Sequence, residues 1–317
     1  MSKKPLIILT GPTSVGKTAL SIALAKAVQG EIISADSMQV YKYMNIGTAK
    51  ITPPEMQGVP HYLIDELEPD EEFNVVRFQH MTKQYMKQIY DKNKIPILVG
   101  GTGFYIQAVL NDIDFTENVT NTSYRKELEQ LLDVKGGDYL HKLLSEIDPN
   151  SAKAIHPNNS KKVIRALEFV KLTGDKISEH NEEQRKKESP YNFCYFVLNK
   201  DRAKLYETIN HRVDLMLEQG LLDEVKALYA KGYNRELVSM QGLGYKEILA
   251  YLEGESSLED AIELLKRDTR HFAKRQLTWF KREKDVIWVD KDTFANDEAI
   301  LTYLITRLRE RQLIPIA

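Results

Sequence analysis

The chain has 317 residues and a mass of 36.5 kDa, which suits two domains or one domain that carries an insertion. Hydrophobic residues make up 42% and charged residues 28% of the sequence, so intrinsic disorder is excluded as its main state. The 44 Lys and Arg residues nearly balance the 46 Asp and Glu residues. The resulting net charge of −2 argues against a nucleic-acid partner held by overall charge.

The cysteine and hydropathy patterns indicate a protein of a reducing compartment. Cys194 is the one cysteine, which excludes an internal disulfide and a cysteine-rich zinc cluster, and the histidines lack zinc-ligand spacing. The start of the chain has no signal-peptide pattern, and no apolar run reaches the roughly 18 residues of a membrane helix. We therefore expect a cytoplasmic protein with no membrane partner.

Short apolar runs that end in Gly, Asp or Asn alternate with helix-like stretches along the first hundred residues. This pattern is typical of parallel strands joined by crossover helices, and residues 18–28 and 75–93 show the apolar spacing of such helices. Two further runs follow much later in the chain. The six predicted strands are Leu6–Thr10, Glu31–Ala35, Tyr62–Leu67, Pro96–Val99, Phe193–Leu198 and Val286–Val289.

The middle and the end of the chain have a helical character. Polar, helix-rich sequence fills residues 113–190, and strand-like sequence resumes at Tyr191, so the sheet is expected to gain a strand after this insertion. Residues 202–282 are helical in pattern, with breaks near Gly232 and Gly242–Gly244. A last helix is predicted from about Asn296 to Arg311.

The first strand leads into GPTSVGKT, which matches the phosphate-loop pattern GxxxxGK[ST] and precedes an amphipathic helix. Backbone amides around the glycines and the helix N-terminus bind phosphate oxygens, Lys17 pairs with a phosphate, and the Thr18 hydroxyl can ligate magnesium. Kinases, ATPases and GTPases share this loop, so it predicts a phosphate site without selecting a reaction. The predicted phosphate-binding residues are Gly11, Pro12, Thr13, Ser14, Val15, Gly16, Lys17 and Thr18.

We therefore predict an α/β fold. Residues 1–112 and 191–317 are expected to form a P-loop NTPase-like parallel-sheet core with a helical C-terminal part, and residues 113–190 an inserted helical domain. Asp36 follows the second strand at the edge where open sheets bind ligands, although it could simply cap the next turn. Gly100, Gly101 and Gly103 follow the fourth strand, either as a tight turn or to admit a substrate.

The phosphate loop is one of eight characteristic segments in the chain, at 11–18, 36–41, 45–50, 61–65, 99–103, 156–158, 242–247 and 273–279. In this combination the chain resembles one family, the bacterial tRNA dimethylallyltransferases. The likeness covers nearly the whole chain, whereas kinases with the same sheet would share the phosphate loop alone.

The resemblance implies transfer of a dimethylallyl group from dimethylallyl diphosphate to the exocyclic amine of adenosine at tRNA position 37, beside the anticodon. The loop would then hold a departing diphosphate, with Mg²⁺ as cofactor on Thr18. The adenine amine is a weak nucleophile, so Asp36 is the candidate base. Lys17 and Arg212 would stabilise the diphosphate charge, although Arg212 could equally form a surface salt bridge.

The resemblance also implies contacts with the anticodon stem-loop of tRNA. The extruded adenosine would have Met38, Gln39, Thr102 and Phe104 as neighbours, but burial in a helix core is the favoured reading for Phe104. The tRNA-binding residues implied are Asp36, Ser37, Met38, Gln39, Thr102, Arg125, Lys161, Lys162, Val163, Ile164, Arg165, Gln241, Gly242, Leu243, Gly244, Tyr245, Lys246, Arg270 and Lys274.

The charge is unevenly distributed along the chain. Residues 264–284 contain eight Lys or Arg and two acidic residues, a local charge of +6 against −8 for the rest of the chain. At helical spacing Arg267, Arg270, Lys274 and Lys281 lie near one face. Such a stripe is either a solvated face or a contact to the tRNA backbone, and the resemblance favours the tRNA contact.

The predicted enzyme therefore has tRNA and dimethylallyl diphosphate as partners and is expected to be a monomer. Three alternatives remain at the level of sequence: an adenylate isopentenyltransferase that uses a free nucleotide, a P-loop small-molecule kinase, and a non-catalytic RNA-binding protein with a phosphate site. The basic helix and the long insertion favour the tRNA enzyme over the free-nucleotide enzyme.

Overall fold

A parallel six-stranded sheet, in the order β3-β2-β4-β1-β5-β6, forms the centre of the computed structural model, which describes residues 3–115 and 122–315. Every pair of neighbouring strands is parallel, so the predicted α/β fold is confirmed. The strands are β1 Lys4–Thr10, β2 Gly30–Ala35, β3 His61–Tyr62, β4 Ile95–Gly100, β5 Tyr191–Asn199 and β6 Val286–Asp290.

Helices make up most of the remaining described chain, and within it none is both long and apolar enough to cross a bilayer. Short 3-10 turns lie at Ser239–Gln241 and Lys291–Thr293. The helices are α1 Lys17–Val28, α2 Pro53–Met56, α3 Val75–Asp91, α4 Gly103–Leu110, α5 Thr122–Lys135, α6 Gly137–Ile147, α7 Pro149–Ala154, α8 Ser160–Thr173, α9 Ile177–Lys186, α10 Arg202–Glu218, α11 Leu221–Ala230, α12 Tyr245–Leu252, α13 Leu258–Phe280 and α14 Asp297–Glu310.

The strand register brings three loops to one edge of the sheet. Thr10 at the end of β1 lies beside Gly100 of β4, and Gly100 lies beside Ala35 of β2. The Thr10 hydroxyl also donates to the Gly100 carbonyl at 2.6 Å. The phosphate-loop sequence, Asp36 and the second glycine-rich loop therefore begin side by side at the carboxyl edge, where open parallel sheets bind ligands.

Two predicted elements differ from the observed ones. The predicted strand Tyr62–Leu67 is wrong beyond Tyr62, because Leu63 and Asp65 adopt left-handed backbone angles, φ +61° and +56°, that end the strand. The helical stretch 202–282 has further breaks at Gly220, with φ +99°, and at Gly254, with φ +77°. β5 pairs with β1, which confirms that the sheet gains a strand after the insertion.

The chain divides into two compact units, 1–109 with 191–317 and 110–190. The first contains the sheet and its apolar core. The second is helical, with its own core around Leu140, Leu144 and Val163. Its buried Asp148 accepts hydrogen bonds from the amides and hydroxyls of Ser151 and Ser178, which ties α7 to α9.

Candidate active site

The phosphate-loop sequence forms a tight turn between β1 and α1. Gly11 has φ +146° and lies so close to β5 that an added Cβ would stand 2.5 Å from the Leu198 carbonyl oxygen. Gly16, with φ +89° and ψ 40°, caps α1 in the left-handed region. The hydroxyl of Ser14 is buried and makes no hydrogen bond within the described chain. The loop thus presents a polar group that has no protein partner.

Lys17 lies at the start of α1 and its amine is held inside the loop. The Nζ atom donates to the carbonyl oxygens of Gly11 at 3.0 Å and Pro12 at 2.8 Å. The pKa of Lys17 is lowered to about 7, chiefly because burial disfavours the charged amine and also because the charge of Arg212 repels it. The charge of Asp36 acts in the opposite direction.

Arg212 projects from α10 toward the same edge of the sheet. Burial lowers its pKa, and the charge of Asp36 opposes that shift. Among the residues that the structure describes, Arg212 has no carboxylate within ion-pair distance, so the surface salt bridge considered from the sequence is not observed. Lys17, Arg212 and Asp36 therefore lie near enough for the charge of each to act on the others, and two basic groups beside one carboxylate favour an anionic ligand.

Asp36 has one carboxylate oxygen engaged and one available. Its Oδ1 accepts a hydrogen bond from the Met38 amide at 2.9 Å, which is the turn contact considered from the sequence. Its Oδ2 makes no hydrogen bond in 3–115 or 122–315. The two interpretations of Asp36 are therefore compatible, because the second oxygen can serve a substrate while the first holds the turn.

The second glycine-rich loop is packed tightly on β2 and α13. A Cβ added to Gly100 would stand 2.2 Å from the Ala35 carbonyl oxygen, and one on Gly103 would stand 2.2 Å from Trp279 Cδ1. The Thr102 amide donates to the same Ala35 carbonyl at 3.2 Å. Close packing in a tight turn thus accounts for these glycines, and it fixes Thr102 at the end of β2 next to Asp36.

Sequence reasoning did not single out Gln276, although its side chain reaches both loops. Its Oε1 accepts from the Thr13 amide at 2.8 Å and its Nε2 donates to the Gly101 carbonyl at 3.0 Å. The available signal was a polar residue at helical spacing from the buried Ala273 and Phe280 of an amphipathic helix.

Phe104 was expected to be buried, and that expectation is wrong. The side chain is 40% exposed and meets Trp279 edge-on, with ring centroids 6.1 Å apart. Because α4 begins at Gly103, its first turn presents Phe104 outward from the glycine-rich loop. An exposed aromatic ring beside Thr102 can stack with a base.

Three side chains assigned to tRNA are instead part of the protein core. Tyr245 is fully buried and donates to Glu224 at 2.7 Å, while Val163 and Ile164 are buried inside the helical unit. The tRNA assignment of these three residues stays a prediction, although burial leaves their side chains little surface for such a contact. In the sheet unit, Gly242 packs on Met38, since an added Cβ would stand 2.5 Å from Met38 Cε.

The remaining residues assigned to tRNA have varied surroundings. Gln39 accepts from Ser34 and donates to Thr48. Gly244 has φ +93°, and Lys246 pairs with Asp268 at 3.1 Å. Ser37 and Leu243 are half-buried, and Gln241 is exposed and donates to the Arg235 carbonyl.

In the helical unit, Arg125 pairs with Glu129 and Glu168, while Lys161, Lys162 and Arg165 are exposed.

The basic segment 264–284 covers the last part of α13 and the turn after it, and its two halves, 264–270 and 271–284, differ electrostatically. Lys266 pairs with Asp214 at 2.7 Å and Arg267 with Asp268 at 3.3 Å, and Arg270 donates to Asn210 at 2.6 Å. In the second half no ion pair involves a basic side chain, as far as the described chain shows. This half lines a cavity of 380 Å³, formed by His271, Lys274, Arg275, Thr278, Trp279 and Arg282.

Comparison with known proteins identifies the family that shares this arrangement. The sequence profile of the IPP transferase family matches residues 39–283. The chain belongs to the IPP transferase family. It is 65% identical to a tRNA dimethylallyltransferase of Lachnoclostridium phytofermentans over 98% of this chain and 99% of the relative. A tRNA dimethylallyltransferase of Acetivibrio thermocellus is 52% identical, over 94% and 96% of the two chains. As a member of this family, the chain is a prenyl-transferring enzyme.

Solved structures of the IPP transferase family share the fold. The full-length tRNA isopentenylpyrophosphate transferase of Bacillus halodurans aligns with a TM-score of 0.73 at 45% identity, over 98% of each chain. A eukaryotic dimethylallyltransferase acting on tRNA aligns with a TM-score of 0.84 at 33% identity, over 99% of this chain and 81% of the other.

The predicted magnesium ion fits the residues at the loop in a limited way. No group of three or more His, Cys, Asp or Glu side chains that could hold a metal exists in the described residues. Thr18 is exposed at the start of α1 and offers a single hydroxyl oxygen. Such a donor suits a Mg²⁺ ion that is held mainly by phosphate oxygens and water. When bound, the ion would neutralise phosphate charge.

The opposed charges around Lys17 give a testable pattern of pKa values. Competitive acylation of amines, followed by mass spectrometry across pH, should show Lys17 titrating near pH 7. Arg212→Met should raise this midpoint because a repelling cation is lost, and Asp36→Asn should lower it because an attracting carboxylate is lost. Lys92 is the control, since hydrogen bonds with Tyr62 and Glu31 raise its pKa. Shifts with the opposite signs would contradict the proximity of these three groups.

Proposed function

We propose that the enzyme transfers a dimethylallyl group from dimethylallyl diphosphate to the exocyclic amine of adenosine 37 in tRNA and releases diphosphate. The curated relatives are named for this activity. The observation that carries the proposal is the meeting of Lys17, Arg212 and Asp36 at the carboxyl edge of the sheet. Two cations suit the departing diphosphate, and one carboxylate suits the attacking amine.

The phosphate loop is the proposed diphosphate site. Ser14 offers a buried hydroxyl without a protein partner, and the start of α1 directs its first amides toward the same space. Lys17 can leave the loop carbonyls and follow the diphosphate, whose negative charge would raise the pKa of the amine again. Arg212 adds charge that needs no protonation step, because its guanidinium stays protonated.

Asp36 is the proposed general base. The amine nitrogen forms a bond to the allylic carbon as the bond from that carbon to the diphosphate oxygen breaks, and the electron pair leaves with the diphosphate. The amine proton passes to Oδ2 of Asp36. Because Oδ1 is held by the Met38 amide, the carboxylate has a fixed orientation, which general-base catalysis requires.

The second half of the basic segment, 271–284, supports tRNA as the acceptor. Lys274, Arg275 and Arg282 are exposed, lie around one cavity and have no carboxylate partner in the described chain, which suits phosphate oxygens of a polynucleotide. An adenylate isopentenyltransferase has no need for such a surface. We place the catalytic core in 1–112 and 191–317 and tRNA contacts of the helical unit in 113–190, through Arg125, Lys161, Lys162 and Arg165. The cytoplasmic location and the monomeric state remain predictions.

The decisive experiment varies the donor and the acceptor. The protein is incubated with Mg²⁺ and dimethylallyl diphosphate or ATP, together with unmodified tRNA, tRNA carrying guanosine at position 37, or adenosine monophosphate. We expect prenylated nucleoside in one combination only, dimethylallyl diphosphate with the tRNA that carries adenosine at position 37. Prenylated monophosphate would support the free-nucleotide enzyme, phosphate transfer from ATP would support a kinase, and binding of tRNA without any transfer would support a non-catalytic protein.

Asp36→Asn distinguishes a role of Asp36 as general base from a role in holding the turn. Asparagine keeps an oxygen that can accept from the Met38 amide but cannot take the amine proton. We expect the single-turnover rate to fall roughly 10²- to 10⁴-fold, while the Kd for tRNA stays within about threefold. A variant with near-normal turnover would show that Asp36 acts only in the turn.

Neutralisation of α13 tests the tRNA surface. We expect Lys274→Ala with Arg282→Ala to weaken tRNA binding and to reduce the slope of log Kd against log salt by roughly one for each lost phosphate contact. Lys266→Ala with Arg267→Ala is the matched control in the same basic segment, because these cations already pair with Asp214 and Asp268. Equal losses of slope in the two double variants would contradict a contact localised to the second half.

A further inference from the structure

Gln276 is the one side chain of the described chain for which hydrogen bonds to both loops of the site are recorded. It is 6% exposed, and each end of its amide has a backbone partner: Thr13 in the phosphate loop and Gly101 in the glycine-rich loop. The partners fix the orientation of the amide, because the Thr13 N–H can only donate and the Gly101 carbonyl can only accept. No other orientation of this side chain satisfies both.

The surroundings of Gln276 leave room only for the side-chain amide that bridges the two loops. A Cβ added to Gly101 would stand 2.1 Å from Gln276 Nε2, so any larger residue there would displace the amide. Gln276 shares the buried face of α13 with Ala273, Leu265 and Phe280, where an apolar side chain would be expected. A buried amide at such a position is favourable only while both of its ends are hydrogen-bonded.

A continuous set of contacts runs through this bridge from the phosphate loop to Asp36. Thr13 is bonded to Gln276 and Gln276 to Gly101, and the next residue, Thr102, donates to the Ala35 carbonyl directly before Asp36. The ends of this path are the proposed diphosphate site and the proposed base. The helix that supplies the bridge also carries Lys274 on its exposed side.

We propose that Gln276 is a positioning residue, which fixes the separation of the phosphate loop and the glycine-rich loop so that the diphosphate donor faces the amine beside Asp36. The role rests on the proposed function, since it concerns the geometry of that transfer. Gln276 itself takes no proton and contacts no reacting atom. A displacement of about 1 Å between reacting groups is enough to lower a rate by the order of 10²-fold.

Two variants remove the bridge in different ways. Gln276→Met keeps the length of the side chain but has no amide. Gly101→Ala keeps the glutamine, but the added methyl group displaces its Nε2 atom from the bridge. We expect each to lower the single-turnover rate of prenyl transfer roughly 10- to 100-fold. The Kd for tRNA should stay within about threefold, since the exposed cations of α13 are intact. The Thr13 amide should exchange with solvent at least about tenfold faster by NMR in each variant.

Gln79→Met is the matched control. Gln79 is also buried, at 7% exposure, and its Nε2 donates to the carbonyl of Ala108, near the end of α4, at 2.7 Å. We expect this variant to lose thermal stability as Gln276→Met does, but to keep the wild-type transfer rate and the exchange rate of Thr13. Comparable rate losses in both glutamine variants would show a general structural effect and overturn the positioning role.

The outcomes distinguish this proposal from the proposed function. A wild-type rate in Gln276→Met, in an enzyme that transfers the prenyl group normally, overturns the positioning role alone. A slowed rate accompanied by an equally large loss of tRNA affinity also overturns it, because the defect would then lie in binding. A wild-type protein that transfers no prenyl group from dimethylallyl diphosphate contradicts the proposed function and the positioning role together.

Discussion

The arrangement of the site depends on the register of three parallel strands. Thr10, Gly100 and Ala35 lie side by side across β1, β4 and β2, so each of the loops that follow these residues begins one strand spacing from the next. Gly100 is required at this position because any side chain would collide with the Ala35 carbonyl. The sheet thus places the phosphate loop and Asp36 on either side of a third loop, which Gln276 then ties to the first.

The electrostatics of the site follow from this crowding. Lys17 and Arg212 are brought close to one another with Asp36 as the nearby opposite charge, and the free protein lessens the repulsion by lowering the pKa of Lys17. The site therefore accommodates its charge most favourably when an anion is present. In the basic segment 264–284 the cations are treated differently. Lys266 and Arg267 are neutralised by Asp214 and Asp268, whereas the cationic side chains of the second half remain available to a ligand.

The sequence could predict those parts of the structure in which the residue type itself determines the local conformation or the chemistry. The phosphate loop, the strand that leads into it and the position of Asp36 follow from glycine, lysine and an apolar run. The net charge of the whole chain argued against a nucleic-acid partner, but the charge of residues 264–284 taken separately is strongly positive and indicates one. The family itself could be recognised from its motifs, and the comparisons confirm it.

What escaped prediction depends on contacts between distant parts of the chain. Tyr245 lies in a segment that carries the family resemblance. Its hydroxyl donates to Glu224, whose carboxylate also accepts hydrogen bonds from the amides of Asn45, Ile46 and Gly47. The sequence pattern does not show that such a residue also shapes the loop. The strand at Tyr62 is short because Leu63 adopts a left-handed conformation, which its apolar neighbours do not indicate.

The position of β5 beside β1 has a consequence for the synthesis of the protein. β5 begins only at Tyr191, so the strand that carries the phosphate loop lacks one neighbour until the whole helical unit has left the ribosome. Arg212 and Gln276 emerge later still, and Gln276 is separated from its partner Thr13 by 263 positions. Contacts of such long range form slowly in folding. A nascent chain therefore displays the complete phosphate-loop motif long before it possesses the site, which makes the assembly of the catalytic centre a late, C-terminal event.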